Sequence, residues 1–262
     1  MRFVADPSAI DSDPGVLTPV EISLLVAVGA VAGVLNTLAG GGSLLTVPLL
    51  VWFGLPGTVA NGTNRVGILL QSLVAVWRFK AEGISELRNT LPLLLPIGLG
   101  SMLGAMMVTR IPDAAFERLF AGIMLLLAIP MLRGVSTPTE ISARRWSPLT
   151  TKVVFFAIGL YGGAIQAGVG IFLVFALTRA GLDLVRASAA KMIVVAGLAL
   201  VAVPVFVLED RVAWLPAAFV SIGFTLGAAA GARIAVRRGE RIIRPVLVAA
   251  VLALSGRMLG LY

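Results

Sequence analysis

The feature that most constrains this chain is a hydrophobic run too long for one membrane crossing and broken in its middle. Apolar sequence runs from Ile22 to Phe53, 32 residues, and is interrupted at Gly40-Gly41-Gly42-Ser43. As one straight helix it would measure about 48 Å, against roughly 30 Å of hydrocarbon in a bilayer. Consecutive glycines also disfavour a helix interior, by roughly 1 kcal/mol each relative to alanine. The run therefore predicts two helical arms with opened backbone between them. Opened backbone at membrane depth survives only where protein buries it or water lines it. Membrane transporters place their substrates at such breaks.

A fainter copy follows at Gly162-Gly163-Ala164-Ile165-Gln166-Ala167-Gly168-Val169-Gly170, again inside an apolar run, Val153–Leu177. Laid over the first copy, Gly29 and Gly33 fall on Gly159 and Gly163, and Asn36 falls on Gln166. After a three-residue gap, Gly54, Ala60 and Asn64 fall on Gly181, Ala187 and Lys191. Gly100 and Gly104 fall on Gly223 and Gly227, and Gly134 on Gly260. The constant order and near-constant offset indicate an internal repeat. The Gly-xxx-Gly pairs themselves read as faces for close helix packing.

Composition agrees with a membrane setting. Of 262 residues, 58% are hydrophobic and only 13% charged, with a mean hydropathy of +1.00; a soluble domain carries roughly 25% charged residues. The net charge of +8 is not gathered into a basic run with stacking aromatics, so a nucleic-acid surface is not indicated. With neither cysteine nor histidine in the chain, disulfides, thiolate nucleophiles, iron–sulfur sites and the usual metal ligand and general base are excluded. Met1–Pro19 carries Asp6, Asp11 and Asp13 and lacks the basic-then-apolar order of a signal peptide.

Apolar segments fall at about 22–53, 62–77, 90–109, 114–132, 152–178, 187–207, 212–232 and 243–261, four in each half. The basic loops are 78–89, with Arg78, Lys80 and Arg88; the linker, with Arg133, Arg144, Arg145 and Lys152; and 233–244, with five arginines. All belong in the cytoplasm, and the acidic N-terminus and Glu209-Asp210 outside. These sides agree with one another only if each broken segment is a hairpin returning to its starting side. The expected fold is an all-α integral membrane protein. About eight transmembrane segments form two inverted four-segment repeats, the first segment of each broken and re-entrant. An extracytoplasmic tail occupies 1–19, the first repeat 20–134, a cytoplasmic linker 135–151 and the second repeat 152–262. The location is a bacterial plasma membrane, crossed many times.

Asn36, Thr37 and Ser43 offer side-chain donors beside Gly41 and Gly42. A returning helix that starts near Ser43 turns the positive end of its dipole toward the break, a setting suited to an anion. Gln166 and the N–H groups around Gly168 repeat the arrangement. The plainer reading is that these groups only satisfy one another. Asn61, Asn64 and Arg65 share one helical face, and Ser188 and Lys191 take the places of Asn61 and Asn64 in the second half. Arg65 is expected about one turn from the outer end of its segment and Lys191 about one turn from the inner end of its own. Each either faces the pathway or snorkels to nearby headgroups; the expectation is that Lys191 binds or gates the anion on the cytoplasmic side, with Asn64 and Arg65 acting on the outer side. Tyr161 and Gln71 read as packing residues. No carboxylate falls in the middle of an apolar segment, so a proton relay by the usual groups is not visible. No nucleophile, buried acid–base pair, metal site or cofactor site is indicated, and an enzyme is not expected.

The run Asn36-x-x-Ala39-Gly40-Gly41-Gly42-Ser43-x-x-x-x-Pro48, followed by Gly54 and Ala60-Asn61-Gly62-Thr63-Asn64, resembles the sulfite exporter TauE/SafE family. Gly162-Gly163-x-x-Gln166-x-Gly168-x-Gly170 with Ala187-x-x-x-Lys191 is similar to a branch of it. The second half lacks the triple glycine and the later proline of the first. The resemblance extends over nearly all of the chain after Pro19. It implies a secondary transporter of small sulfur-containing anions: sulfite, thiosulfate, or a sulfonate such as taurine or sulfoacetate. Alternating access between inverted repeats is the expected mechanism, and a small-anion channel with the same lining is the alternative. The expected partners are the anion and the lipid bilayer, with room for a homo-oligomer.

Overall fold

The structure, a computed structural model, describes residues 17–38, 40–132 and 146–238, apart from the side chains of 128–132, 237 and 238. The tail before residue 17, most of the linker and the apolar segment at 243–261 lie outside the described residues. So do the basic residues expected at 239–244.

Among the described residues the secondary structure is nine α-helices and no strand. They are α1 (Pro19–Leu38), α2 (Ser43–Trp52), α3 (Gly57–Ala81), α4 (Leu87–Val108), α5 (Asp113–Leu132), α6 (Pro148–Ala164), α7 (Val169–Arg179), α8 (Leu184–Leu208) and α9 (Trp214–Arg238). Local chemistry sets several starts. Ser147 Oγ accepts the Thr150 N–H at 3.1 Å with Pro148 in the first turn of α6. Asp183 Oδ1 accepts the N–H groups of Val185 and Arg186 at 3.0 and 2.9 Å and begins α8. Pro48, Pro92, Pro96 and Pro204 lie inside helices, which neighbouring helices make tolerable in a membrane.

Four helices, α1, α4, α8 and α9, are long and apolar enough to cross a bilayer. Their outer faces are greasy: Leu91, Leu95, Leu99, Met102 and Met106 run exposed along α4. The polar residues point inward instead, and Asn61, Asn64, Arg65, Gln71 and Lys191 are all fully buried. This reverses the distribution of a water-soluble domain and is the arrangement of an all-α membrane protein.

Glycines fix the helix pairs. A Cβ on Gly33 would sit 2.4 Å from the Phe224 carbonyl oxygen, and one on Gly227 2.0 Å from that of Ala30. In the same way, a Cβ on Gly100 would lie 2.2 Å from the Phe156 oxygen and one on Gly163 2.1 Å from that of Ser101. So α1 lies backbone to backbone on α9, and α4 on α6, as the Gly-xxx-Gly faces predict. In both pairs residue numbers rise together along the contact, so the paired helices run parallel.

Polar contacts define the two ends of the bundle. At one end the Thr58 N–H and hydroxyl donate to Asp113 Oδ1 at 2.9 and 2.6 Å, and Arg211 Nη1 lies 3.8 Å from Asp113 Oδ2. There the Ala213 N–H donates to Thr63 Oγ1 at 2.9 Å, so α3, α5 and α9 all start at this end. At the other end Arg186 Nε meets buried Glu86 at 3.5 Å, joining the α3–α4 turn to the start of α8. Parallel to α9, α1 enters from the first end, and α2 carries the chain back to where α3 starts. Parallel to α4, α6 enters from the second end, and α7 returns there.

One boundary differs from the sequence reading. Helix α3 begins at Gly57, not near Gly62, because the polar turn Gly57–Asn61 is helical and buried against Asp113 and Phe116. Arg65 thus lies eight residues into α3, and Lys191 seven residues past the start of α8. Each is about two turns inside its helix, deeper than the single turn expected.

Candidate functional site

The first break separates Leu38 from Ser43. Gly40 takes φ +81° there, a left-handed conformation natural to glycine. The second separates Ala164 from Val169, with Gln166 at φ 65° and Gly168 at φ 67°. Of the second glycine motif, Gly162 and Gly163 therefore lie inside α6, Gly170 lies inside α7, and only Gly168 is in the break. Asn36, which the sequence pairs with Gln166, is still helical in the last turn of α1. The first break touches the first turn of α7, Gly40 lying against Gly170.

The last carbonyls of a helix have no partner within it and carry the negative end of its dipole. In α1 these groups are taken by a cation from the other half of the chain. Lys191 Nζ, on α8, donates to the carbonyl oxygens of Asn36, Thr37 and Leu38 at 3.1, 2.7 and 3.3 Å. The end of α6 is held from α3. Asn61 Nδ2 donates to the Ala164 oxygen at 2.8 Å, and Arg65 Nη1 to the Gly162 oxygen at 2.9 Å and to Gln166 Oε1 at 3.2 Å. Each half thus supplies the cap for the broken helix of the other.

The same turn of α3 also holds the first hairpin. Asn64 Nδ2 donates to Ser43 Oγ at 3.1 Å, and its Oδ1 accepts the Thr46 hydroxyl. Asn61, Asn64 and Arg65, expected on one face, therefore bridge the two breaks. The Tyr161 hydroxyl donates to the Ala167 carbonyl inside the second hairpin. Neither α2 nor α7 has a side-chain hydrogen bond at its N-cap, Gly42 or Gly168.

Several expectations change. Arg65 and Lys191 are both fully buried and directed at the breaks, so neither snorkels to headgroups. The Thr37 hydroxyl turns back to the Gly33 carbonyl at 2.8 Å and is not offered to the break. The Gly41 carbonyl accepts the Leu44 N–H at 3.1 Å and so opens α2. Gly42 is needed for space, since a Cβ there would lie 2.4 Å from the Ala32 oxygen.

Gln71 is fully buried with neither its Nε2 nor its Oε1 partnered. Its position seven residues, two helical turns, after Asn64 was the available signal of that burial. Buried side-chain atoms without a hydrogen-bond partner among the described residues are Asn36 Nδ2, Asn61 Oδ1, Arg65 Nε and Nη2, both ends of Gln71, and Arg78 Nε. All except the last belong to the final turn of α1 and to α3 between Asn61 and Gln71.

Arg65 is the unusual member. Its Cζ lies 4.8 Å from the centre of the Phe206 ring, a cation–π contact. No carboxylate among the described residues pairs with it. The described ion pairs, Arg78–Glu82, Arg186 with Glu86 and Asp183, and Arg211–Asp113, belong to the ends of the bundle. A buried guanidinium without a counter-charge, and with N–H groups unmet, is destabilising by several kcal/mol unless an anion joins it.

Over residues 25–258 the chain matches the sulfite exporter TauE/SafE family. It is 30% identical over 244 residues to the probable membrane transporter protein ORF9 of a Sinorhizobium species, covering 91% of this chain and 92% of the relative. A probable membrane transporter protein of Haemophilus influenzae is 28% identical over 239 residues, covering 90% and 94%. The probable membrane transporter protein YfcA of Escherichia coli is 25% identical over 245 residues, covering 93% and 91%. No solved structure matches the chain significantly.

Proposed function

The chain belongs to the sulfite exporter TauE/SafE family of membrane transporters, and from that premise we propose that it moves small sulfur-containing anions by alternating access between two inverted repeats. The single observation that carries the anion reading is Arg65. It is wholly buried, without a carboxylate partner among the described residues, and its Nε and Nη2 are unmet. The oxygens of a sulfite or sulfonate accept hydrogen bonds from such a fork, and the charge would offset the desolvation of the guanidinium.

In this reading Arg65 and Asn36 hold the anion, helped by the N-terminal ends of α2 at Ser43 and of α7 beyond Gly168. Lys191 and Asn64 hold the arms of the first break in place, and Asn61 and Gln166 those of the second. The re-entrant hairpins favour the inverted arrangement, because α1 and α6 enter from opposite ends of the bundle and stop where they meet. The ion pairs Arg211–Asp113 and Arg186–Glu86 join the two halves, one at each end. They are suited to part in turn as each side opens.

The test is uptake of radiolabelled sulfite, thiosulfate, taurine and sulfoacetate into proteoliposomes, for the wild type and Arg65→Met. Saturable uptake and counterflow that vanish in Arg65→Met are expected. Linear, unsaturable flux would indicate the channel, and unchanged transport by Arg65→Met would refute the site.

A further inference from the structure

The two long helices that carry the buried cations also carry a matched pair of aromatic rings. The alignment that lays Ala60 and Asn64 on Ala187 and Lys191 runs on without a gap, laying Phe79 on Phe206 and Gly83 on Asp210. Local structure repeats the match. Phe79 lies in the last turn of α3 and Phe206 in the last turn of α8. The Phe79 carbonyl accepts the Ile84 N–H at 2.9 Å, and the Phe206 carbonyl accepts the Arg211 N–H at 2.8 Å. Gly83 and Asp210, in the turns so closed, are both left-handed, at φ 83° and 53°. The two helices run antiparallel. By the charge of the loops, Phe206 lies at the outer end of the bundle and Phe79 at the inner end.

Each ring is buried at the meeting of the two halves, at matched heights. A Cβ on Gly62 would lie 2.7 Å from Phe206 Cδ1, and Arg65 Cζ stands 4.8 Å from the centre of the same ring. Phe79 is buried in one cluster with Ala189 and Met192, the residues that the alignment lays on Gly62 and Arg65. Arg65 is about two turns inside α3, so the Phe206 ring stands between it and the outer end. Beyond that ring come the Arg211–Asp113 pair and the bond from the Ala213 N–H to Thr63. Beyond Phe79, toward the inner end, comes the Arg186–Glu86 pair.

Resting on the alternating-access reading above, we propose that Phe206 and Phe79 are the paired gates of the pathway, Phe206 closing the breaks from outside and Phe79 from inside. An apolar ring across a narrow path excludes water and the hydrated ion with it. The rings lie at opposite ends of one antiparallel helix pair, and each half supplies one helix. A tilt of α8 on α3 that frees one ring therefore presses the other into place. Both are buried, so both gates are shut in this structure. The polar pairs at the ends latch the gates; the rings seal them.

The test is the reach of a charged, membrane-impermeant methanethiosulfonate to Ser43→Cys. This probe sits at the first break, at a buried position, in a chain with no native cysteine. Rates are read in right-side-out and inside-out membrane vesicles. Adding Phe206→Ala should raise the rate from outside at least tenfold and leave the rate from inside no higher. Phe79→Ala should do the reverse. Phe206→Leu and Phe79→Leu, which keep a smaller apolar side chain, should show the same sidedness and serve if an alanine variant fails to fold. Equal rises from both sides, or no rise in any variant, would make the rings packing residues and overturn the inference. No anion enters that measurement, so the two readings can fail separately. Sided opening without protection of the cysteine by any sulfonate would count against the anion site and leave the gates in place. Uptake that depends on Arg65, with no sided change in labelling, would keep the anion site and remove the gates.

Discussion

Gly40 and Gly170 meet backbone to backbone where the two broken helices face each other. A Cβ built on Gly40 would lie 2.2 Å from the Gly170 Cα, and one on Gly170 would lie 2.3 Å from the Gly40 Cα. Neither position can hold even alanine without moving a hairpin. The contact joins the first half of the chain to the second within reach of Lys191, whose Cδ would stand 3.2 Å from a Cβ on Gly170. Movement of one hairpin at this contact must therefore displace the other.

Gly170→Ala should lower the melting temperature of the purified protein, by an overpacking penalty of roughly 1–3 kcal/mol. Gly40→Ala should be worse, because a left-handed φ adds roughly 1–2 kcal/mol for a residue with a Cβ. Once one substitution has pushed the hairpins apart the other should matter less, so the double variant should fall short of the sum. Thermal denaturation of the four proteins provides the cycle, and strict additivity would argue that the breaks move independently.

Arg65→Met should act on ligand dependence and not on intrinsic stability. The guanidinium donates to Gly162 and Gln166 but leaves Nε and Nη2 unmet. Replacing an imperfectly paired buried charge with an apolar side chain is often neutral or stabilising. Without anion its melting temperature should equal or exceed that of the wild type. The rise on adding a sulfonate should disappear. A ligand-dependent rise that survives would remove Arg65 from the site.

Lys191→Met should show the opposite pattern. Three carbonyls at the end of α1 lose the ammonium, Asn36 keeping only the Gly40 N–H, which should destabilise the anion-free protein by about 2 kcal/mol or more, the scale for hydrogen bonds to a charged group. Lys191→Arg should recover part of it. Scanning fluorimetry without added anion separates this role from direct substrate binding. A full-strength Lys191→Met protein that has lost only its anion response would return the lysine to the substrate.

Both breaks were legible in the sequence because a membrane segment leaves few ways to spend consecutive glycines or a polar run. The Gly-xxx-Gly faces were legible for a similar reason, and the α1–α9 and α4–α6 contacts use them. Partnership was not legible. Periodicity puts Asn61, Asn64 and Arg65 on one face, but it cannot say that Asn64 turns to Ser43 while Arg65 turns to Gly162, 97 residues away in sequence. Nor can it say that Lys191 reaches back 153–155 residues to the end of α1. Gln71 reads from the sequence as a packing residue, where a buried amide is expected to find a partner. Only the packed structure shows that this one finds none among the described residues.

The hairpin geometry makes a topological prediction that needs no substrate. If α1 and α2 enter and leave at one end, Thr18 and Pro56 must lie on the same side of the membrane. Glu209 must join them, since Arg211 and Ala213 contact Asp113 and Thr63 there. Ser85 and Ala180 flank the opposite end, where Glu86 meets Arg186. All five are exposed, Thr18 just before α1 and the others in the turns that connect helices. The chain has no native cysteine, so single cysteines can be placed at these positions without background. By the charge of the loops, Thr18→Cys, Pro56→Cys and Glu209→Cys should react with an impermeant maleimide added outside intact cells. Ser85→Cys and Ala180→Cys should react only after the membrane is opened. Labelling of Thr18→Cys and Pro56→Cys from opposite sides would mean that α1 and α2 form a single crossing. The parallel pairing of α1 with α9 could not then coexist with the Thr58–Asp113–Arg211 cluster in one folded protein.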